Sequence, residues 1–243
     1  MKNEIKKLGL LLGTFDPIHI GHIELITRVL GEGLVDKVYI VPTPGNPWKD
    51  HKPASFEFRC YMIKHFLKKE IMDAGLQDKV GFVTGAFCEY NPIDLADPED
   101  GKYYSYLQLA RVKDELGPTY EYYIIGGTDV AESVKGWKKS EEILKEFHLL
   151  GMDRAGYVDF PEGGPSIKVS STNIREMIAQ GKSTFPWLMP STIDIIHKYR
   201  LYERKSFKIS KESFPVVSLN DSLVCHVSLF MWLYRWLYTK GKG

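Results

Sequence analysis

Short apolar runs alternate along the chain with stretches in which apolar residues recur every three or four positions. The runs show little apolar–polar alternation, which is typical of strands buried on both faces of a parallel sheet. They predict strands at residues 8–13, 36–41, 79–84, 120–125 and 147–152. The periodic stretches predict helices at residues 19–30, 55–74, 104–116, 140–145, 170–180 and 192–198.

This order of elements predicts an α/β fold with a doubly wound parallel sheet. Ligands of such sheets bind beyond the carboxyl ends of the strands. We therefore expect the functional residues in the segments that directly follow the predicted strands. Gly126 and Gly127 are expected to open a turn after the fourth strand, and residues 42–53 and 89–102 are expected to form loops.

Length and composition are those of a globular protein. The 243 residues are 44% hydrophobic and 26% charged, which excludes wholesale disorder and allows a substantial core. The 32 basic and 31 acidic residues almost cancel, which argues against a dedicated nucleic-acid binder. The three cysteines are scattered and suit neither a disulfide framework nor a zinc ribbon, so we expect a cytoplasmic protein.

The C-terminal part differs from the rest, and we divide the chain into a domain at residues 1–203 and an extension at 204–243. The extension holds seven basic and two acidic residues and an aromatic, apolar stretch at 223–238. A membrane-spanning helix needs about 20 mostly apolar residues, and Arg235 interrupts this shorter stretch. The alternatives are a helix on a membrane or partner surface, a spanning helix, and a homo-oligomer contact or incidental terminus.

The strongest chemical signal, GTFDPIHIGH at residues 13–22, lies between the first predicted strand and the first helix. Gly13 permits close approach of a ligand to the backbone. The helix start offers N–H groups and a positive dipole end to a phosphate. His19 and His22 lie on nearly the same face, and each can donate a hydrogen bond to a phosphate oxygen. Gly21 between them would let a bulky nucleotide lie close.

Two other interpretations of the histidine pair are weaker. The histidines could be metal ligands, but only Asp16 lies near enough in sequence to be a third one. They could also be helix-cap residues without a function, which a lone His-x-x-His would favour. The complete ten-residue string at the first strand-to-helix turn favours nucleotide binding.

GTFDPIHIGH resembles the signature of the HxGH nucleotidyltransferase superfamily, and in particular of bacterial nicotinate (or nicotinamide) mononucleotide adenylyltransferases. The resemblance covers roughly residues 8–203. It implies a Rossmann-like nucleotidyltransferase fold and an enzyme of NAD biosynthesis that joins a pyridine mononucleotide to the AMP moiety of ATP and releases pyrophosphate. His19 and His22 are then catalytic. The residues implied to bind ATP in this string are Gly13, Thr14, Phe15 and Gly21.

A second segment, KVSSTNIR at residues 168–175, resembles the family's ISSTxIR motif. Ser170, Ser171 and Thr172 can cap a helix and donate hydroxyls, and the resemblance implies that they bind ATP. Arg175 lies one turn further on and is expected to hold the β- and γ-phosphates. An ordinary N-cap is the alternative for the three hydroxyl residues.

Two further basic residues match the family. Lys49 ends a proline-rich loop like the family's, so the resemblance implies that it is catalytic and meets phosphate. Arg59 falls where the family has an arginine in the next helix, and a solvated helix charge is the alternative. The chain departs from the family pattern at Leu12, where a second glycine is usual, and at Trp48, where histidine is common.

The fourth strand and its surroundings also match. Residues 125–129, followed by Trp137, resemble the family's GxD…W segment, which implies ATP contacts at Gly127 and Asp129. Trp137 would stack on the pyridine ring, since an indole face favours a flat cationic ring. A core tryptophan is the alternative.

Three more residues are assigned to the mononucleotide by resemblance. Tyr104 and Ser105 loosely match the family's SYT segment, although Leu107 stands where its aspartate is usual. Arg154 belongs to a stretch, residues 148–157, that matches the strand and turn before the SST motif.

The implied partners are ATP and a pyridine mononucleotide. Mg²⁺ is expected as the cofactor, bound through ATP phosphates and water rather than by a protein carboxylate cage. Two other functions compete: another HxGH adenylyltransferase of the phosphopantetheine type, and a nucleotide-sensing module without turnover. The sequence leaves the choice between the nicotinate and nicotinamide substrates open, and the resemblance favours the acid.

Overall fold

The computed structural model describes residues 6–45, 53–83, 96–152 and 169–203. Five parallel strands form one sheet in the order β3-β2-β1-β4-β5. Their bounds are β1 Lys6–Gly13, β2 Lys37–Pro42, β3 Val80–Phe82, β4 Tyr120–Gly127 and β5 His148–Met152. All five strands predicted from the sequence are present, so the parallel α/β architecture is confirmed.

The described helices are α1 Ile20–Gly31, α2 Phe56–Phe66, α3 Ser105–Leu116, α4 Thr128–Ser133, α5 Ser140–Glu146, α6 Ser171–Ala179 and α7 Pro190–Tyr199. A π-helical turn, Leu67–Ile71, continues α2, and two 3₁₀ turns occupy Gly117–Thr119 and Val134–Gly136. None of the helices within the described ranges is both long and apolar enough to cross a membrane.

β1 occupies the middle of the sheet and is buried on both sides. Leu10 and Leu11 point to opposite faces, and their side chains are 0% and 2% exposed. β1 pairs with β2 on one edge and with β4 on the other. The chain order reverses between β1 and β4, so the carboxyl ends of these two strands frame the crevice in which such sheets bind ligands.

The predicted turn at Gly126 and Gly127 is wrong. Both residues belong to β4, because parallel pairing with β5 continues to Gly127 opposite Met152. A Cβ atom on Gly126 would lie 2.5 Å from Cβ of Val130. The glycine therefore lets α4, a helix that the sequence pattern did not predict, pack closely on the strand.

The helix predicted at residues 55–74 is confirmed in its first part and changes to a π-helical turn after Phe66. Glu70 in this turn is buried and accepts hydrogen bonds from the backbone N–H and the hydroxyl of Ser191, at 3.0 and 2.7 Å. Burial raises the pKa of Glu70, and the two hydrogen bonds oppose this shift. The carboxylate thereby caps the start of α7 and fixes it to the α2 side of the domain.

Candidate active site

The two motif histidines lie together where β1 passes into α1. His19 is the N-cap residue of α1, and its ring centroid lies 3.8 Å from that of His22. The backbone N–H of His19 donates to Nδ1 of His22 at 3.1 Å. The two histidines therefore cap the helix and also lie side by side at the predicted phosphate site. Helix capping and phosphate binding, given above as alternatives, are compatible.

This hydrogen bond fixes the tautomer of neutral His22. Because Nδ1 accepts a hydrogen bond from the backbone N–H, the neutral ring carries its proton on Nε2. Nε2–H is then a directed donor of the kind that a phosphate oxygen accepts. Half-buried His22 thus combines a structural bond on one ring nitrogen with a donor on the other.

The glycines around the histidines make room for protein side chains. A Cβ atom on Gly21 would lie 3.2 Å from Cε1 of His19, and one on Gly13 would lie 3.0 Å from Cζ of Phe15. The space at Gly21 is therefore taken by the His19 ring, whereas the sequence argument gave it to a nucleotide. Phe15 is 2% exposed, and its ring meets His22 edge-on at 4.9 Å. Its side chain thus supports His22 from the core side.

The start of α1 is less open than the sequence suggested. The N–H of Ile20 donates to the carbonyl of Trp187 at 2.9 Å, and that of His22 donates to the carbonyl of His19 at 2.9 Å. The expectation of a row of unpaired N–H groups is wrong for these two residues. Two N–H groups at the start of α1 therefore already have partners within the protein.

Asp16 joins three distant parts of the chain beneath the histidines. It is 2% exposed. Its Oδ1 accepts from the N–H of Ala54 at 3.1 Å and from the hydroxyl of Tyr202 at 2.8 Å, while its Oδ2 lies 3.5 Å from Nη1 of Arg175. Burial and the Asp16 carboxylate raise the pKa of Tyr202, so its hydroxyl stays a donor. Asp16 is thus committed to holding the site together.

The start of α6 packs against this same loop. Ser171 donates to the carbonyl of Pro17 at 3.1 Å, and Arg175 donates to the carbonyl of Asp16 at 2.7 Å. Ser170 caps the helix by accepting from the N–H of Asn173, which confirms the N-cap interpretation for this residue. Pro17 and Ser171 are 154 positions apart in the sequence, so the fold brings the two motifs into direct contact.

Arg59 is fully buried, so its interpretation as a solvated helix charge is wrong. Its guanidinium donates to the carbonyls of Thr14, Thr43, Pro44 and Ala54, at 2.6 to 2.9 Å. Burial lowers the pKa of Arg59 and Asp16 opposes this shift, but the group stays charged at neutral pH. One side chain thereby fastens together the segments that follow β1 and β2.

The residues assigned to the mononucleotide lie near α3 and the turn after α4. Tyr104 is the N-cap residue of α3 and Ser105 its first residue. Trp137 follows the 3₁₀ turn after α4, is half-buried and packs against the core. A Cβ atom on Gly45 would lie 3.1 Å from the Tyr103 ring, so this region touches the segment after β2.

The structure describes only some of the remaining assigned residues. Gly127 ends β4 and is the N-cap residue of α4, at the crevice edge of the sheet. Thr172 accepts from Arg175 at 3.4 Å. Lys49, Arg154 and the side chain of Asp129 lie outside the part of the chain that the structure describes.

Comparison with known proteins decides the family. Residues 10–177 match the model of the cytidylyltransferase-like family. A probable nicotinate-nucleotide adenylyltransferase of Halalkalibacterium halodurans is 31% identical over 223 residues, which cover 86% of this chain and 99% of the relative. The chain belongs to the nicotinate-nucleotide adenylyltransferases, within the cytidylyltransferase-like family.

Solved structures share the family fold. The nicotinic acid mononucleotide adenylyltransferase of Plasmodium falciparum complexed with NaAD superposes with a TM-score of 0.55 and 19% identity. The match covers 81% of this chain and 97% of that one. The Rossmann-like nucleotidyltransferase architecture expected from the sequence is therefore confirmed.

Sequence reasoning missed two residues that build the site. Asp16 was considered only as a metal ligand, and the described residues hold no group of three His, Cys, Asp or Glu side chains that could bind a metal. Nothing in the sequence pattern indicates the contact of Tyr202 with Asp16, 186 positions away. Family members use ATP and generally need a divalent metal.

Proposed function

We propose that the chain is a nicotinate-nucleotide adenylyltransferase that uses the HxGH site described above. A phosphate oxygen of the mononucleotide attacks the α-phosphorus of ATP and forms a new P–O bond. The bond between the α-phosphorus and the bridging oxygen breaks, and its electron pair leaves with pyrophosphate. The products are the dinucleotide and pyrophosphate, and no covalent enzyme intermediate is required.

The observation that carries this proposal is the cap between the two histidines at the end of β1. It orients the His22 ring at the junction that follows β1, one of the two strands that frame the crevice, and we assign the Nε2–H donor to a phosphate oxygen. Charge on the transferring phosphoryl group grows during reaction, and fixed donors stabilise it without having to reorganise. Catalysis by positioning and electrostatics therefore suits this site.

The other residues are assigned complementary roles. His19 is placed beside His22 on the reacting phosphates, and Arg175 and Lys49 are assigned to the β- and γ-phosphates. Arg175 is already oriented by Asp16, so its guanidinium loses little freedom when ATP binds. The hydroxyls at the start of α6 are assigned to the same ATP site, because Ser171 bonds to the loop that leads to the histidines.

Mg²⁺ is proposed to bind through ATP phosphates and water. The buried Asp16 carboxylate already binds Ala54, Tyr202 and Arg175, so it is not assigned as a metal ligand. This arrangement fits an ion whose ligands are phosphate oxygens and water. When bound, the ion would neutralise phosphate charge. The chain's own contribution is to hold the phosphates with the histidines and Arg175.

The acid form of the mononucleotide is the proposed substrate. The relative from Halalkalibacterium halodurans is named for nicotinate, and the Plasmodium falciparum structure holds NaAD. The test is pyrophosphate release from ATP with nicotinate or nicotinamide mononucleotide, each over a range of concentrations. A higher kcat/KM for the acid is expected, and a higher kcat/KM for the amide would contradict this choice of substrate.

Replacing Trp137 by alanine should weaken mononucleotide binding by about 1–3 kcal/mol, the usual scale of stacking between an aromatic side chain and a base. Binding of ATP should hardly change. Isothermal titration calorimetry with each ligand measures the two binding free energies. Trp187, a tryptophan that is 6% exposed, provides the matched control, since Trp187→Ala should lower the melting temperature instead. Equal losses for both ligands in Trp137→Ala would support the core interpretation.

A chain ending at Glu203 should keep its activity, because every assigned residue precedes residue 204. A chain ending at Leu201 should lose at least about tenfold in kcat/KM, since it lacks the Tyr202 hydroxyl that binds buried Asp16 and a hydrogen bond to a charged group is worth about 1.5–3 kcal/mol. Steady-state assays of both chains, with Tyr202→Phe in the full chain, measure this. An inactive but folded chain ending at Glu203 would show that the extension helps to build the site.

A further inference from the structure

Lys138 directly follows Trp137 and lies in an ion-pair network that the reaction does not explain. Its Nζ lies 2.7 Å from Oδ2 of Asp97 and 2.7 Å from Oε2 of Glu99. The Asp97 side chain is 1% exposed, whereas that of Lys138 is 30% exposed. These bonds join the turn after α4 to residues 97–100, which we call the acidic turn; the bonded Asp97 and Glu99 lie 41 and 39 positions earlier in the chain.

The acidic turn is itself tightly organised. Asp97 accepts from the N–H of Glu99 at 2.9 Å, and its backbone bonds to Gly101 and Lys102 at 2.8 and 2.7 Å. Such bonds fix the direction of the Asp97 carboxylate before Lys138 meets it. Buried Asp97 therefore ties Lys138 to a defined turn, and the Glu99 side chain, which is 77% exposed, adds a bond at the surface.

The same turn holds the tyrosines at the start of α3. The Tyr104 hydroxyl donates to Asp100 at 2.7 Å, and the Tyr106 hydroxyl donates to Asp97 at 2.8 Å. The ammonium of Lys138 also lies 5.2 Å from the centroid of the Tyr104 ring, within the range of a cation–π contact. Lys138 thus links Tyr104 and Trp137, two residues assigned to the mononucleotide.

We propose that Lys138 is a positioning residue for the mononucleotide half of the site, which fixes Tyr104 and the acidic turn relative to Trp137 through its bonds to Asp97 and Glu99. The proposal rests on the proposed function, since it takes Trp137 as the stacking residue. A flat ring gains from stacking only when the aromatic side chain is already held in place. Without Lys138, binding of the mononucleotide would itself have to fix Tyr104 and the acidic turn relative to Trp137.

A lysine beside the stacking tryptophan could instead read the carboxylate of nicotinate directly. The geometry argues against this, because two carboxylates already share the Lys138 ammonium at hydrogen-bond distance. Its positive charge is offset by these partners and is a poor anchor for a further anion. The two roles predict opposite effects of mutations, which makes them separable.

The network stays charged throughout the neutral range. The hydrogen bond from Lys138 lowers the pKa of Asp97 from 3.8 to about 2, and the two carboxylates raise the pKa of Lys138. Because the Asp97 pKa is depressed, the stabilisation is present above pH 3.8 and is lost as pH falls towards 2. The effect of removing Lys138 should therefore not vary with pH between about 5 and 9.

The test is steady-state kinetics of the full chain with ATP and either mononucleotide. Lys138→Met should raise KM for both mononucleotides by at least about tenfold, within the hundredfold that a misplacement of about 1 Å can cost, and leave KM for ATP unchanged. Asp97→Asn should have the same effect, and the double variant should be no worse than either single one. Lys138→Arg, which keeps the charge and two donors, should restore most of the affinity.

Lys113 offers the matched control. It pairs with Glu146 at 2.9 Å between α3 and α5, and its side chain is 38% exposed. Lys113→Met removes a similar bridge between neighbouring elements and should leave both KM values unchanged.

Four outcomes overturn the inference. An unchanged mononucleotide KM in Lys138→Met, or a proportional rise in both substrates' KM, would show that the network positions nothing specific. Loss of acid preference in Lys138→Met, or tighter acid binding in Asp97→Asn, would show that Lys138 reads the carboxylate itself. Failure of the proposed function is distinct from all of these, because the wild-type chain would then release no pyrophosphate with either mononucleotide.

Discussion

Replacement of His22 by alanine is expected to lower kcat by at least about a hundredfold, the usual cost of removing one preorganised donor to a developing negative charge. The expected loss arises because the Nε2–H donor disappears, together with the Nδ1 acceptor that binds the His19 backbone. His19→Ala should have a similar effect. The measurement is single-turnover formation of the dinucleotide at saturating substrates, so that weaker binding does not disguise the chemical step.

His22→Gln separates the two roles of this residue. Glutamine at the third helical position can accept from the N-cap backbone N–H and so keeps the cap, but it lacks the imidazole donor. We expect a near-normal melting temperature and a loss of turnover close to that of His22→Ala. His148→Ala, at an exposed histidine on β5, serves as the control and should leave turnover unchanged. Near-normal turnover of purified His22→Ala would contradict the catalytic assignment.

Replacement of Arg59 by leucine should lower the free energy of unfolding by at least about 3 kcal/mol, because it leaves four backbone carbonyls without their charged donor. Lysine should not rescue the fold, since one ammonium cannot reproduce the planar fork of the guanidinium. Urea unfolding of both variants measures the loss.

Arg28 provides the control for Arg59. It forms an exposed i,i+4 pair with Glu32, the C-cap residue of α1, and pairs of this kind contribute about 0.3–0.5 kcal/mol. Arg28→Leu should therefore be nearly neutral. A similarly small loss in Arg59→Leu would show that water replaces the guanidinium at the four carbonyls and that Arg59 is not needed to join the loops.

The fold followed from local patterns in the sequence. The run Leu8 to Gly13 is apolar without alternation because β1 lies in the middle of the sheet with both faces buried, and such burial leaves a direct trace in the sequence. The proximity of His19 and His22 could also be predicted from the sequence, since both residues lie within one helical turn. The continuation of β4 through Gly127 could not be predicted, because pairing with β5 overrides the local turn preference of two glycines.

The residues that hold the site together act through contacts distant in the sequence, so no local sequence pattern predicts their roles. Arg59 looks like any basic residue in an amphipathic helix until the segments after β1 and β2 fold over it. Tyr202 and Lys138 meet carboxylates far away in the sequence, at Asp16 and Asp97. The sequence argument for Gly21 invoked a nucleotide and did not anticipate the His19 ring, which lies 3.2 Å from the position of an added Cβ atom.

The most direct measurement of the central claim follows the phosphorus atoms of ATP. The full chain is incubated with nicotinate mononucleotide, Mg²⁺ and ATP that carries label at the α-phosphate or at the γ-phosphate. Transfer at the histidine site predicts that all α-label in product enters the dinucleotide and all γ-label in product enters pyrophosphate, in equal amounts. Release of α-label as ADP or AMP, or binding of both nucleotides without any dinucleotide, would contradict it.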